Sequence, residues 1–180
     1  MKATARSAAQ RGITLIEATV VLAVTAIVAS SAAPSLQHVI DARRLDGAAT
    51  QLAADIQFIR SEAVARNEAL RLSFHAVAGG SCYVIHTGAA DECSCAVAGP
   101  AQCGGNARQI RTVTLTAADR VSLQANVGSL LFDPLHGTSS PTGTLRVIGA
   151  NERAIHHVVN IMGRVRSCSP QAAVPGYRAC

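Results

Sequence analysis

Arg11-Gly12-Ile13-Thr14-Leu15-Ile16-Glu17 opens an apolar run that continues to Ala33. Ile13 to Ala33 is 21 residues, which as a helix at ~1.5 Å per residue spans about 31 Å, enough for a ~30 Å hydrocarbon core. The flank before it carries Lys2, Arg6 and Arg11 and no acid. Basic flanks stay in the cytoplasm, so the rest of the chain is expected on the far side of the membrane. A secretory signal peptide is the competing reading, with Ala29-Ser30-Ser31-Ala32-Ala33 as its small-residue cleavage site. That reading leaves the Gly12 junction and Glu17 unexplained. A carboxylate in a lipid-facing helix costs on the order of 2.5–3.5 kcal/mol, which makes Glu17 a functional suspect. The plainer alternative is that Glu17 lies close enough to the interface to stay hydrated. In a bundle of such helices it can instead pair with the charged amino terminus of a neighbour, compensating both charges and setting the axial register.

Pro34 ends the membrane-type run and is expected to kink the helix where an i−4 bond is lost. Beyond it Leu45, Ala49, Leu52, Ile56, Ile59 and Ala63 recur at alternating spacings of four and three, an apolar stripe along one helical face. Arg43, Asp46, Gln51, Asp55, Arg60 and Glu62 are expected mainly on the other faces. The helix is expected to end near Asn67, so that Ile13 to Asn67 makes a rod of about 80 Å. Short strands follow: 69–76, 82–86, 110–116, 121–125, 129–132, 143–148 and 154–162, punctuated by Gly79-Gly80, Gly104-Gly105, Asp133-Pro134 and Ser140-Pro141. The stretch 87–107, rich in Gly, Ala and Cys, reads as a disulfide-tied loop. This order predicts an α+β fold with one long N-terminal α-helix packed on a C-terminal antiparallel β-rich head.

Several of these features together carry a family resemblance. The glycine junction after a basic leader, Glu17 and Pro34 resemble the class III signal and helix of type IV pilins and pseudopilins. Arg60-Ser61-Glu62-Ala63-Val64-Ala65-Arg66-Asn67, Leu131-Phe132-Asp133 and Gly163-Arg164-Val165-Arg166-Ser167-Cys168 resemble the FimT/GspH branch of the minor ones, closest to FimT. The resemblance implies cleavage by prepilin peptidase between Gly12 and Ile13, N-methylation of Ile13, and use of Glu17 in assembly. It divides the chain into a leader peptide at 1–12, a transmembrane and assembly half-helix at 13–35, an amphipathic half-helix at 36–67 and a periplasmic head at 68–180. The implied location is the inner membrane, single-pass with the head in the periplasm, and then a pilus or pseudopilus fibre with other major and minor pilins.

The formal net charge is +5. Without Lys2, Arg6 and Arg11, the 13 remaining basic residues are all arginine and stand against 11 acids. Overall charge therefore says little about an anionic partner. Its distribution says more: from Gly143 onward Arg146, Arg153, Arg164, Arg166 and Arg178 face Glu152 alone. Six cysteines fit an oxidising compartment. Cys168 and Cys180 bracket a short tail containing Pro170, Pro175 and Gly176, and are expected to pair. Cys82, Cys93, Cys95 and Cys103 allow three pairings. A zinc site on Cys93-x-Cys95 near His86 is the alternative, but the spacing matches the usual metal pairs poorly. No metal or other cofactor is expected.

No Ser, His or Asp lies in a nucleophile-elbow or metalloprotease pattern, so an enzyme is not expected. His156-His157 cannot easily share one ion in a strand, where neighbouring side chains point to opposite faces; one inward and one exposed ring is expected. With three Phe, two Tyr and no Trp, a base-stacking platform is poorly supplied. Gly163-Arg164-Val165-Arg166 is the sharper candidate. If extended, its two arginines project to one side, their planar forks suit phosphate oxygens, and Gly163 lets a turn form or a backbone approach. In FimT-like pilins this motif is associated with DNA capture in natural transformation, which by position gives Gly163, Arg164 and Arg166 that role, with Arg146, Arg153 and Arg178 as weaker additions. The expected partner is double-stranded DNA, bound without sequence preference. The alternative is a purely structural minor pseudopilin for pilus priming or for a type II secretion pseudopilus, with the arginines blunting a sheet edge or pairing with a neighbouring subunit.

Overall fold

The computed structural model describes residues 14–96 and 99–180, apart from the side chains of Ala32 and Pro34. The leader and the junction between Gly12 and Ile13 lie outside the described residues. Helix α1 runs Leu15–Arg66. It starts where Thr14 Oγ1 accepts the Glu17 N–H at 3.2 Å, an N-cap that satisfies one of the open donors of the first turn. In the apolar half, the hydroxyls of Thr19, Thr25, Ser30 and Ser31 donate to the carbonyls of Ile16, Val21, Ile27 and Val28. Turning a hydroxyl back on the backbone leaves no free O–H in a medium that offers no partner. This half is long and apolar enough to cross a membrane: its most apolar window has mean hydropathy 2.0 and is 0% buried. The helix continues through Pro34 without a break.

The chain forms two compact units, one up to Val39 and one from Ile40 to Cys180. In the second, the stripe Leu45, Ala49, Leu52, Ile56, Ile59 and Ala63 is fully buried, as its spacing of four and three requires of one helical face. Burying its four large side chains stabilises this unit by about 1.5–3 kcal/mol each, an upper estimate. The helix ends in a left-handed Asn67 with φ 52°. The Glu68 N–H donates to Ala63 C=O and the Asn67 N–H to Val64 C=O, the paired bonds that close a helix when the residue after it turns left-handed.

Among the described residues eleven strands follow, in chain order: β1 Leu70–Val77, β2 Gly80–Thr87, β3 Cys93–Ser94, β4 Gln102–Cys103, β5 Gln109–Thr116, β6 Ser122–Ala125, β7 Ser129–Phe132, β8 Ser139–Ser140, β9 Gly143–Ile148, β10 Ala154–Val159 and β11 Val165–Cys168. One sheet has the order β5-β2-β1-β7-β8, a second β11-β10-β9-β6, and β3 pairs with β4. All these pairs are antiparallel. Leu70, Leu72, Tyr83, Ile85, Leu130 and Phe132 of the first sheet join Leu123, Leu145, Val147, Ile155 and Val159 of the second in one core with the helical stripe. The fold is α+β and pilin-like, a long N-terminal helix packed on antiparallel sheets.

Three expectations need correction. The run 154–162 is a strand only to Val159, because Gly163 with φ +66° and the Asn160–Gly163 hydrogen bond close a turn there. The loop 87–107 contains the hairpin β3–β4, pinned by Cys93–Cys103. Asp55, expected off the apolar face, is buried: it accepts from Tyr83 Oη at 2.7 Å and Gln51 Nε2 at 3.1 Å and pairs with Arg111. The Arg111 guanidinium also lies over the Phe58 ring, 4.8 Å from its centre. Helical periodicity places Asp55 beside the stripe, but its partners come from β2 and β5 and cannot be read from the helix alone. Burial first, and then the hydrogen bond to Asp55, raises the Tyr83 pKa well above its ordinary value. Asp41 and Asp46 tie the same helix to Arg120 at 3.2 Å and to Tyr177 Oη at 2.8 Å.

Candidate nucleic-acid interface

The second sheet places the candidate residues through strand alternation. His157 faces inward, is 1% exposed, and has Nδ1 2.8 Å from Ser167 Oγ. Burial depresses its pKa to about 4, so it is a neutral core histidine at pH 7. His156 and Val158 face outward on the same strand. His156 pairs in register with Arg146 on one side and Cys168 on the other, and Val158 with Thr144 and Arg166. Arg146 and Arg166 therefore flank β10 on one face, offset by two residues. Two strand spacings and that offset put their Cα atoms about 12 Å apart. His156 between them is half-buried, and burial first, then the Arg146 charge, lowers its pKa. The positive charge of this face therefore comes from guanidinium groups.

The turn into β11 is closed by Asn160 and Gly163. The Gly163 N–H donates to Asn160 C=O at 2.9 Å, the Asn160 N–H to Arg164 C=O at 3.1 Å, and Asn160 Oδ1 accepts the Arg164 N–H at 2.9 Å. Gly163 is buried: a Cβ there would lie 2.6 Å from Gly137 O and 3.0 Å from Arg60 Cδ. Arg60 Nε itself donates to Gly137 O at 3.0 Å. The sequence allows Gly163 either a turn or a close backbone approach. Both occur, and the approach is to the protein's own Gly137. Gly163 thus shapes the turn that presents Arg164 and Arg166, both exposed, without offering surface of its own.

The carboxyl-terminal tail returns to the same strand. Cys168 is bonded to Cys180, the Ser169 N–H donates to Arg178 C=O at 2.8 Å, and Ser169 Oγ donates to Ala154 C=O at 2.9 Å. This holds Arg178 beside the end of β11, whereas Arg153 lies in the turn before β10. Cys82 pairs with Cys95 and Cys93 with Cys103, so both members of the Cys93-x-Cys95 pair are in disulfides. Among the described residues no group of three or more His, Cys, Asp or Glu is placed to hold a metal.

A sharper distinction among the arginines emerges from their partners. Arg44, Arg60 and Arg71 donate to backbone carbonyls. Arg66, Arg108, Arg111 and Arg120 pair with Glu62, Glu68, Asp55 and Asp41. Among the described residues, Arg146, Arg153, Arg164, Arg166 and Arg178 are exposed and have side chains with no protein hydrogen bond or ion pair; Arg43 is the only other such arginine. Sequence reasoning finds Arg164 and Arg166 by their motif and Arg146, Arg153 and Arg178 by charge and placement, and cannot tell any of the five from engaged arginines. It overlooks Ile161 and Met162 at the turn, where the available signal is two apolar residues just before a turn glycine.

Residues 48–163 match the family described as type II transport protein GspH, and residues 7–33 match the prokaryotic N-terminal methylation motif. The chain belongs to the GspH family. These matches make it a minor pilin or pseudopilin of a type IV pilus or a type II secretion system, and the methylation motif implies prepilin peptidase processing and assembly with other pilins. Among solved structures, the type IV minor pilin FimU of Pseudomonas aeruginosa is 20% identical over 72% of this GspH-family chain and 94% of its own, with a TM-score of 0.50. The minor pseudopilin EpsH from the Type 2 Secretion System of Vibrio cholerae is 13% identical over 71% and 98%, with a TM-score of 0.49. At such identities the likeness to FimU is one of fold. No curated protein matches the chain. The GspH match ends at Gly163, so Arg164 and Arg166 stand just beyond what the family relation covers.

Proposed function

We propose that this protein is a minor pilin of a type IV pilus that binds extracellular double-stranded DNA without sequence preference, for uptake in natural transformation. The observation that carries this reading is the division among the arginines. Seven in the head and its helix are engaged by protein acceptors, while the five of the last fifth of the chain are exposed and unengaged. Guanidinium forks with no internal acceptor are suited to phosphate oxygens. Arg164 and Arg166 are the central contacts, with Arg146 on the same sheet face and Arg153 and Arg178 at its margin. A handful of phosphate contacts gives modest, salt-sensitive affinity, and several copies in a fibre raise it through avidity. Processing between Gly12 and Ile13, methylation of Ile13 and pairing of Glu17 with a neighbouring amino terminus deliver the subunit from the inner membrane into that fibre, its head having faced the periplasm.

Fluorescence anisotropy with a labelled duplex at several salt concentrations tests the reading. Arg164→Gln/Arg166→Gln is expected to weaken low-salt binding at least tenfold and to flatten the log–log salt slope by about two. Absence of binding at low salt, or unchanged binding by the double variant, refutes it. The second reading is a structural pseudopilin for pilus priming or type II secretion. It is favoured by the description of the matched family and by the position of β11 at a sheet edge, where arginines blunt strand pairing. It expects the double variant to leave DNA binding unaltered and to impair assembly.

A further inference from the structure

The exposed large apolar side chains of the unit beginning at Ile40 are Ile40, Val64, Leu135, Val158, Ile161 and Met162. Three of them occupy the tips of two adjoining loops: Leu135 is 73% exposed, Ile161 63% and Met162 50%. The loops are locked together, since the Ser139 N–H donates to Ile161 C=O at 2.8 Å and Gly163 abuts Gly137 O. Ile161 and Met162 are the two central residues of the Asn160–Gly163 turn, positions that ordinarily carry polar or turn-forming residues. The turn is tied at both ends by Asn160, so presenting these side chains requires little further ordering.

We propose that the tip of the β10–β11 hairpin is an apolar wedge, with Ile161 and Met162 entering an opened base step of duplex DNA whose phosphates are held by Arg164 and Arg166. The proposal rests on the DNA-binding reading above and adds to it a deformation of the bound duplex. Proteins that bend DNA commonly insert Ile, Leu or Met between base pairs while basic side chains hold the flanking backbone. Both parts are present on one hairpin, with the arginines two to five residues beyond the apolar pair. Asp133, the acid of the adjoining loop, accepts the Leu135 and His136 N–H groups, and among the described residues no carboxylate pairs with Arg164 or Arg166, so the guanidinium charge beside the tip is open to an anion. A polyanion with an apolar interior fits this surface. Stacking on an aromatic platform does not, since no exposed large apolar residue among those described is aromatic.

The test uses the full chain in detergent micelles with a 30-base-pair duplex carrying 2-aminopurine at successive positions and a dye pair on its ends. Anisotropy reports binding, 2-aminopurine emission reports unstacking, and energy transfer reports bending. The wild-type protein is expected to raise emission several-fold at flexible TA steps, to shorten the end-to-end distance, and to prefer a duplex with one mismatch by about tenfold, since an unpaired step opens more readily. Ile161→Ser/Met162→Ser is expected to lose the emission rise, the end-to-end shortening and the mismatch preference, while the log–log salt slope, which reports the phosphate contacts of the arginines, stays as in wild type. Both side chains are exposed, so the fold is expected to survive, as near-ultraviolet circular dichroism checks; Met162→Phe keeps the wedge and is expected to keep the signal. Wild-type binding without unstacking at any position overturns the wedge and leaves the DNA reading standing, as does a serine variant that retains the emission rise. A serine variant that alters self-association in sedimentation while the optical signals persist identifies a protein-docking face and also overturns it. Absence of any anisotropy change at low salt removes the DNA reading, and the wedge with it.

Discussion

Gly163 and Gly79 form a matched pair for measuring what the turn before Arg164 demands. Both have positive φ, +66° and +78°, but a Cβ at Gly79 meets nothing within 4 Å, whereas one at Gly163 lies 2.6 Å from Gly137 O. Replacing Gly79 by alanine should therefore cost only the left-handed backbone penalty, about 1–2 kcal/mol. Replacing Gly163 by alanine adds a backbone collision. The Arg60 side chain can yield, but Gly137 O is already held by Arg60 Nε and its loop is bonded through Asp133 and Thr138. Relieving such overpacking typically costs about 1–3 kcal/mol, so Gly163→Ala should destabilise by about 2–5 kcal/mol in all. For a unit of this size each kcal/mol lowers Tm by roughly 4 °C. Urea and thermal unfolding of the full chain in micelles, followed by near-ultraviolet circular dichroism, measure both variants. The signature is the difference between them, about 1–3 kcal/mol. Equal melts would refute the reasoning, because they would mean that the Gly137 contact does not constrain the turn.

The depressed His157 pKa ties stability to pH. Its folded value of about 4 against an ordinary 6.5 means that the unfolded chain binds the proton first as pH falls. The stabilisation is full above 6.5 and is lost between 6.5 and 4, about 3 kcal/mol by linkage. His86, also depressed by burial, adds in the same direction, and a His157→Leu variant should flatten the pH dependence of urea unfolding across that window. Asp55→Ala leaves the buried Tyr83 hydroxyl without its acceptor and frees the half-exposed Arg111 into solvent. It should cost about 2–3 kcal/mol in urea unfolding, dominated by the orphaned hydroxyl.

The helix and most of its partners are legible in the sequence for simple reasons. A 3.6-residue period identifies Leu45, Ala49, Leu52, Ile56, Ile59 and Ala63 as one face, and all six are buried. Strands 129–132 and 143–148 are read residue for residue, since each is a short apolar-rich run bounded by turn residues, Gly128 and Asp133-Pro134 for the first and Pro141 and Gly149 for the second. The two-residue strands β3, β4 and β8 are too short to show any period. In the sequence β11 shows only as an arginine motif, and its strand character depends on pairing with β10.

By itself the sequence determines what acts locally along the chain: the membrane-length apolar run, the methylation motif, the amphipathic stripe and the accumulation of arginine near the end. Length, charge and periodicity are properties of consecutive residues and need no partner. Tertiary structure alone decides which charges are satisfied. Asp55 leaves solvent only because β2 and β5 bring Tyr83 and Arg111 to it, and Arg111 and Arg166 are indistinguishable as letters. One has a carboxylate and an aromatic ring against it, and the other has none. Whether a guanidinium is free to meet a phosphate depends on the groups that folding carries to it from elsewhere in the chain.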